Sequence, residues 1–195
     1  MKKPKLIVFD VNETLLDLSV MESEINTAAG DQSAFDQWFS LLLQFAMAES
    51  LSDNYIDFGV VGKHTLEMTF TRLGKQISEA EVNNLLSMIT SLAPHQEVPS
   101  ALAKLKEAGY RMVTLTNGGH QTHTQQMQYS GLEQYFDRLY SVEAVRKFKP
   151  HPETYNYVLE KENCRASETM LIAAHAWDIL GAQRAGYKTG FIKRQ

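Results

Sequence analysis

Residues 5–14 read KLIVFDVNET, an apolar stretch that stops abruptly at a polar cluster. The apolar part, Lys5–Val11, contains β-branched residues and is typical of a strand buried on both faces of a parallel sheet. Its four-residue run LIVF is too short for the apolar region of a signal peptide, about 7–15 residues, or for a membrane helix of about 20. We therefore expect a cytoplasmic protein that has no membrane segment.

The residues that follow this strand have a different pattern. Apolar residues recur at helical spacing across residues 16–95, and Ser78 with Glu81 forms a capping box, so this segment is predicted to contain three or four helices. From residue 96 onward, strands and helices alternate. We predict an α/β fold, in which residues 1–15 and 96–195 form a doubly wound, Rossmann-like parallel sheet domain and residues 16–95 an inserted all-helical cap.

The composition excludes several classes of protein. The chain has 195 residues, of which 44% are hydrophobic and 22% charged, as in a soluble globular domain and unlike a disordered chain. The formal net charge of −4 argues against a general nucleic-acid binder, which would be basic. A single cysteine, Cys164, excludes an internal disulfide framework and a zinc site of several thiolates, and it fits a reducing cytoplasm.

Four polar clusters lie at the predicted ends of strands. They are residues 10–14 (DVNET), 116–119 (TNGG), 149–150 (KP) and 173–178 (AAHAWD). Each cluster alone is also ordinary loop chemistry, since Asn and Gly favour turns. In open α/β sheets, however, ligands bind outside the carboxyl ends of the strands. The four clusters together therefore predict a functional site at this edge of the sheet.

The amino-acid sequences of these clusters resemble the motifs of the haloacid dehalogenase superfamily. FDVNETLL is similar to its first motif, LTNGG to the second, KPHPETY to the lysine motif and AAHAWDILGA to the fourth. Within the superfamily the chain looks most like the type II, or L-2-haloacid, dehalogenases. The resemblance implies hydrolysis of short L-2-haloalkanoic acids, which are small carboxylate substrates, through an ester on an aspartate and without a cofactor.

The resemblance also implies roles for individual residues. Asp10 would be the nucleophile, Thr14 would hydrogen-bond it, and Lys149 would keep its pKa low. Asp178 would orient Lys149 or a water, and His175 paired with Glu13 would activate the hydrolytic water. The residues expected to bind substrate are Thr116 and Asn117, which would hold its carboxylate, together with Val11, Asn12, Phe39 and Trp38.

Other interpretations stay open at this point. A magnesium-dependent phosphatase would need an acid where Asn12 stands and another where Ala174 stands, so Mg²⁺ enters only under that alternative. A non-catalytic protein that binds a small anion is the third hypothesis. His175 has a structural interpretation as a buried histidine bonded to backbone.

The predicted cap differs from well-known type II enzymes, which carry an arginine there to receive the halide. The first arginine of this chain is Arg72, so halide would meet aromatic ring edges, the Asn117 amide or backbone N–H groups. The apolar stretch FSLLLQFAMA, residues 39–48, is either core or the surface of a homodimer. His120 and His123 are expected at the surface, because no third metal ligand accompanies them.

Overall fold

A parallel sheet of five strands lies at the centre of the molecule. The computed structural model describes residues 3–194. Its strands are β1 (Leu6–Phe9), β2 (Arg111–Thr116), β3 (Arg138–Ser141), β4 (Thr169–Ala173) and β5 (Lys188–Phe191). They pair in the order β3-β2-β1-β4-β5, and every neighbouring pair is parallel. The chain adds strands on one side of β1 and then on the other, so the predicted doubly wound α/β fold is confirmed.

Between these strands the described chain forms α-helices that are joined by loops. They are α1 (Ser19–Ala29), α2 (Ala34–Leu51), α3 (Phe58–Arg72), α4 (Glu79–Ser87), α5 (Val98–Glu107), α6 (His120–Tyr129), α7 (Pro152–Glu162) and α8 (Ala176–Arg184). None of these helices is both long and apolar enough to cross a membrane. The segment α1–α4 follows β1, as predicted, and is called the helical segment below. The domain boundaries at residues 15/16 and 95/96 stay a prediction, and residues 1, 2 and 195 lie outside the described chain.

Strand β1 is buried because both faces of the sheet are covered. Leu6 and Val8 point to one face and join the apolar cluster of α7 and α8. Ile7 and Phe9 point to the other face and join a cluster that continues into the helical segment. The helical segment therefore packs onto the sheet through a continuous apolar core, and this contact positions it over the carboxyl edge.

Two local features hold the helical segment together. Ser78 and Glu81 form the predicted capping box at the start of α4, which satisfies two backbone N–H groups. Helices α2 and α3 pack side by side, and the Trp38 indole nitrogen donates a hydrogen bond to the Gly62 carbonyl at 3.0 Å. The stretch 39–48 is partly core, since Leu41, Leu42 and Ala46 are buried, while Phe45 in the same helix is exposed.

Candidate active site

The predicted polar clusters meet where the order of the strands reverses. Asp10 follows β1, Thr116 ends β2 with Asn117 next to it, and His175 lies between β4 and α8. The loop after β3 brings Lys149 to the same edge. Parallel strands place their carboxyl ends together, and the crevice at such a reversal is the usual binding position in this architecture.

These residues surround a cavity of about 280 Å³, called the catalytic cavity below. Its polar wall comes from the sheet edge and consists of Asp10, Thr116, Asn117, Lys149 and His175. Its apolar wall comes mainly from α2 and α3 and consists of Phe39, Leu43, Phe58 and Trp177, the last from α8. A few convergent polar groups opposite an apolar wall are the usual lining of a small-molecule site, so the lining of the cavity suits a small molecule.

Lys149 is a buried cation whose three protons all have acceptors. Its ammonium donates to Asp10 Oδ1 at 2.7 Å, to Asp178 Oδ2 at 2.6 Å and to the Leu115 carbonyl at 3.0 Å. Only 1% of its side chain is exposed. A buried charge is tolerated when it is paired and fully hydrogen-bonded, and this one is. Tyr155 donates to the other oxygen of Asp178 at 2.6 Å.

The arrangement keeps Asp10 ionised. Burial alone would raise the pKa of Asp10, but the charge of Lys149 and the hydrogen bond from His175 outweigh it, so the pKa lies below its ordinary value. For Asp178, burial and the negative charge of Asp10 raise the pKa despite the ion pair. The two carboxylates raise the pKa of Lys149 although its burial opposes this. At neutral pH the cavity therefore presents an aspartate anion.

Thr14 connects the first and fourth motifs. Its hydroxyl donates to Asp10 Oδ2 at 2.7 Å and accepts from the Ala174 N–H at 2.9 Å. The backbone donor fixes the direction in which the hydroxyl proton points. The expected bond between Thr14 and Asp10 is therefore present, and it orients the carboxylate.

His175 bridges two carboxylates. Its Nδ1 donates to Asp10 Oδ2 at 3.0 Å and its Nε2 to Glu13 Oε2 at 2.5 Å. Glu13 has a φ of 59°, in the left-handed region that non-glycine residues rarely adopt. Its carbonyl accepts from His95 Nε2 at 3.0 Å and from Arg194 Nε at 3.2 Å. The structural interpretation, a histidine bonded to backbone, is therefore wrong, because both ring nitrogens contact carboxylates.

The pKa of His175 follows from these contacts. Burial alone would lower the pKa, but the hydrogen bonds and negative charges of Asp10 and Glu13 raise it to about 9. The imidazole is stacked on Trp177, at a ring-centre distance of 5.0 Å, and is tilted against Phe39, at 5.9 Å. The free protein at pH 7 therefore holds an imidazolium next to the Asp10 anion.

Thr116 and Asn117 are held by the backbone around them. The Thr116 hydroxyl accepts from the Gly118 N–H at 3.1 Å, so its proton remains to be donated. The Asn117 side-chain oxygen accepts from the Lys149 N–H at 2.9 Å. The amide nitrogen is therefore the part of Asn117 that can donate to a ligand. Both residues line the catalytic cavity.

The remaining predicted binding residues occupy different places. Phe39 and Asn12 line the catalytic cavity, and Asn12 Oδ1 accepts from Gln126 Nε2 at 2.9 Å. Trp38 lines a second cavity instead. The Val11 side chain is fully buried in the hydrophobic core, so only its backbone is available for contact with a substrate.

The second cavity has a volume of about 620 Å³ and is called the apolar cavity below. It lies between the helical segment and the start of α6. Most of its wall is apolar, and the residues that matter later are Trp38, Phe39, Leu42, Phe58, Leu86 and Ile89. The sequence does not reveal this cavity, because apolar residues at helical spacing look the same whether they fill a core or line a space.

Two further residues lie in positions that the sequence did not predict. His123 was expected at the surface, and this is wrong: it is fully buried and shares a hydrogen bond of 3.0 Å with Thr114. Burial lowers the pKa of His123 to about 3, so it is neutral. Phe58 was missed as a cavity residue. An apolar side chain facing a cavity carries no signal that separates it from a core residue.

A magnesium ion does not fit this group of donors. The Lys149 ammonium lies between the Asp10 and Asp178 carboxylates, the two acids that a metal would need. Ala174 contributes a backbone N–H to Thr14 and no carboxylate. Among residues 3–194, no three His, Cys, Asp or Glu side chains are grouped so that they could hold a metal ion. Mg²⁺ prefers several hard oxygen ligands, and these are lacking here.

Comparison with protein families gives one match that covers most of the chain. A family model described as haloacid dehalogenase-like hydrolase matches residues 7–192. The match begins within β1, spans the helical segment and extends past the end of β5.

Individual relatives are similar over nearly the whole chain. An (S)-2-haloacid dehalogenase of Pseudomonas putida is 29% identical over 191 residues, which is 97% of this chain and 85% of that protein. A haloacetate dehalogenase of Moraxella sp. (strain B) is 29% identical, with 100% of this chain and 88% of that protein covered. Among solved structures, the L-2-haloacid dehalogenase of Xanthobacter autotrophicus with chloropropionic acid covalently bound has a TM-score of 0.90 and 26% identity, and covers 98% of this chain and 78% of that one.

Proposed function

Since the chain belongs to the haloacid dehalogenase-like hydrolases, we propose that it hydrolyses short L-2-haloalkanoic acids through an ester on Asp10, without a metal ion. One observation carries this proposal: the buried Asp10 carboxylate faces a cavity that has one polar and one apolar wall, and it is kept ionised by Lys149 and His175. An ionised carboxylate that is largely shielded from solvent is a suitable nucleophile for an alkyl halide.

The first step forms the ester. An oxygen of Asp10 attacks carbon 2 of the acid, the C–O bond forms, and halide leaves with the electron pair of the C–halogen bond. Asp10 Oδ2 already accepts two hydrogen bonds, from Thr14 and His175, whereas within residues 3–194 Oδ1 accepts only from Lys149. Oδ1 therefore keeps a lone pair for the attack. The product has inverted configuration, because attack occurs opposite the leaving halide.

The substrate carboxylate is held by neutral donors at the end of β2. Thr116 contributes a hydroxyl proton and Asn117 an amide proton. Lys149 is already saturated by its three acceptors, so it balances Asp10 and does not bind the substrate directly.

The leaving halide meets aromatic side chains. Within residues 3–194 no arginine lines either cavity, whereas Phe39, Phe58 and Trp177 line the catalytic cavity. The edge of an aromatic ring carries partial positive charge and interacts favourably with an anion. Together with the Asn117 amide, these ring edges are the proposed halide contacts.

The second step hydrolyses the ester. Water attacks the carboxyl carbon of the Asp10 ester, and His175 accepts a proton from that water while Glu13 stabilises the resulting imidazolium. The acyl–oxygen bond then breaks, the 2-hydroxy acid leaves with one proton, and Asp10 is regenerated. One oxygen of the water remains in the Asp10 carboxylate.

Ester formation itself makes His175 available as the base. In the free protein the Asp10 charge raises the pKa of His175 to about 9, so the ring is already protonated. Once Asp10 is esterified, that charge is gone and the pKa of His175 falls. The proton is released to solvent through the exposed part of the ring, and the neutral imidazole can then accept one from water. This order prevents His175 from acting before the ester exists.

The test of this proposal measures halide release from L-2-chloropropionate and chloroacetate. We expect release that persists in EDTA and is abolished by Asp10→Ala. A single turnover in H₂¹⁸O should place label in the peptide that contains Asp10. The proposal is refuted if no small 2-haloacid yields halide, and metal-stimulated phosphate release from p-nitrophenyl phosphate would favour a phosphatase instead.

A cytoplasmic location and a homodimer complete the proposal. The single Cys164 supports a reducing compartment. Exposed apolar side chains, among them Phe45, Leu51 and Val60, lie near the end of α2 and the start of α3 and support association of two chains. Sedimentation at the mass of one chain, 22.1 kDa, would argue against the dimer.

A further inference from the structure

The apolar cavity has no part in the reaction described above, yet it adjoins the place where the reaction occurs. It is more than twice as large as the catalytic cavity, about 620 Å³ against about 280 Å³. Asn12, Phe39 and Phe58 line both cavities. A molecule bound in one cavity therefore reaches the other by passing these three side chains.

The polar side chains Asn12 and Gln126, at the boundary between the two cavities, are hydrogen-bonded to each other. Gln126 donates to Asn12 Oδ1 at 2.9 Å and to the Ile89 carbonyl at 2.9 Å, so its amide protons are already paired within the protein. The facing residues Trp38, Leu42 and Leu86 are apolar. Burial of apolar surface is therefore the main interaction that this space offers to a ligand.

A glycine keeps part of the space open. Gly62 lies inside α3, where glycine weakens a helix relative to alanine. A Cβ placed on Gly62 would have Trp38 and Leu42 as its nearest neighbours, both at 3.9 Å, which is ordinary contact. Packing therefore does not require glycine there. The missing side chain leaves room beside two residues that line the apolar cavity.

We propose that the apolar cavity binds the hydrocarbon substituent on carbon 2 of the substrate, while the carboxylate and the reacting carbon lie in the catalytic cavity. This inference rests on the proposed function and extends it: the preferred substrates are 2-haloalkanoic acids with a substituent longer than methyl. Thr116 and Asn117 hold the carboxylate on the polar wall, so the substituent points away from it, towards Phe39 and Phe58.

The first test varies the length of the substituent. We measure bromide release from L-2-bromopropanoate, L-2-bromobutanoate and L-2-bromohexanoate. Each methylene that leaves water should raise kcat/KM about fourfold, mainly through KM, because it is bound equally in the ground state and the transition state. A kcat/KM that falls steadily with chain length overturns the inference, while turnover of the propanoate keeps the proposed function intact.

The second test fills the cavity. Gly62→Leu should lower the ratio of kcat/KM for the hexanoate to that for the propanoate about 16-fold, since its side chain takes the place of about two methylenes. Gly62→Ala is the milder variant and should lower the ratio less while melting no earlier than the wild type. His64→Leu changes an exposed side chain of the same helix that lines neither cavity, and it should leave the ratio unchanged. An unchanged ratio in both Gly62 variants contradicts the proposal.

A binding measurement separates this inference from the chemistry. Calorimetry with propanoate, butanoate and hexanoate needs no reaction, and affinity should rise about fourfold per methylene in the wild type and less in Gly62→Leu. If alkanoates bind in this order but no haloacid is turned over, the proposed function fails and the cavity assignment holds. Equal affinity for all three overturns the cavity assignment alone.

Discussion

The two walls of the catalytic cavity differ in how they are made. The polar wall, at the sheet edge, consists of charged and hydrogen-bonding groups that are paired with one another, as Lys149 is with Asp10 and Asp178. The apolar wall consists mainly of side chains from α2 and α3, such as Phe39 and Phe58, that are held by packing.

This difference separates two tasks. Bond formation and hydrolysis need fixed charges and protons, which only the polar wall supplies. Selection among substrates of different size needs shape, which the apolar wall and the apolar cavity supply. Changes in the polar wall should therefore alter rate, pH dependence and stability strongly, whereas changes in the apolar wall should alter the range of substrates.

The largest effect is expected from Lys149→Met. The change leaves Asp178 without a cation and Asp10 with the His175 imidazolium alone, and breaking a buried pair in this way costs about 3–5 kcal/mol of the free energy of unfolding. The pKa of Asp10 should rise, so halide release should fall by on the order of 1000-fold or more. Urea unfolding and halide release measure the two effects.

A matched variant checks the cause of that instability. Lys149→Met combined with Asp178→Asn removes one buried negative charge and should recover part of the lost stability, but no activity. Equal stability of the single and double variants would show that the two carboxylates do not repel each other in the folded protein.

His175→Asn should separate the two chemical steps. Asp10 and Lys149 remain, so the ester should still form and release about one halide per site in a burst. Hydrolysis lacks its base, and steady-state turnover should fall by about 100- to 10,000-fold. Rapid-quench measurement of halide and mass analysis of the Asp10 peptide follow the two steps. A loss of the burst together with turnover would mean that His175 is needed to form the ester as well.

The polar wall was largely predictable from sequence, and the physical reason is local. Asp10, Asn117 and His175 each follow an apolar strand, and parallel strands bring such residues to one edge. Their spacing along the chain therefore already indicated their proximity. The α/β fold was predictable in the same way, from the alternation of strands and helices that begins at residue 96.

The apolar wall was not predictable to the same degree. Trp38 and Phe39 are neighbours in α2, yet Trp38 lines only the apolar cavity and Phe39 lines both cavities. His123 looked like a surface residue in a polar helix but is buried against β2. In each case the surroundings of the side chain depend on how its helix is rotated against the sheet. The periodicity of the sequence predicts which residues share a face of the helix, but it does not predict what that face contacts.

A change of pH is expected to have a smaller effect on the free energy of unfolding. The pKa of His175 is raised from 6.5 to about 9 in the folded protein, so its stabilising contribution is fully present below pH 6.5 and is lost as pH rises through about 9. The loss should be about 2–3 kcal/mol between these limits. Urea unfolding at pH 6.5 and pH 9.5 measures it. His175→Gln should flatten this difference, and an equal slope in both proteins would mean that His175 is not held charged by Asp10 and Glu13.

The smallest effect is expected from Arg194, which supports the polar wall from outside the cavity. Its guanidinium donates to the carbonyls of Glu13 and Thr14 and pairs with Glu97. Arg194→Ala should lower the free energy of unfolding by about 1 kcal/mol, as expected for partly exposed hydrogen bonds. Because the Glu13 backbone is left-handed, the loop should relax, and Glu13 should hold His175 less firmly.

The rate of ester hydrolysis in Arg194→Ala shows whether Arg194 positions Glu13 or only stabilises the folded protein. We expect it to fall severalfold while the halide burst stays unchanged, because Asp10 and Lys149 do not contact Arg194 and Glu13 acts only in the second step. Lys193→Ala, at the exposed neighbouring position, is the control and should change neither quantity. A burst that falls together with hydrolysis would mean that the Glu13 loop and the Asp10–Lys149 pair depend on each other. The two chemical steps would then share one structural unit, and the tasks would be divided only between the polar wall and the apolar wall.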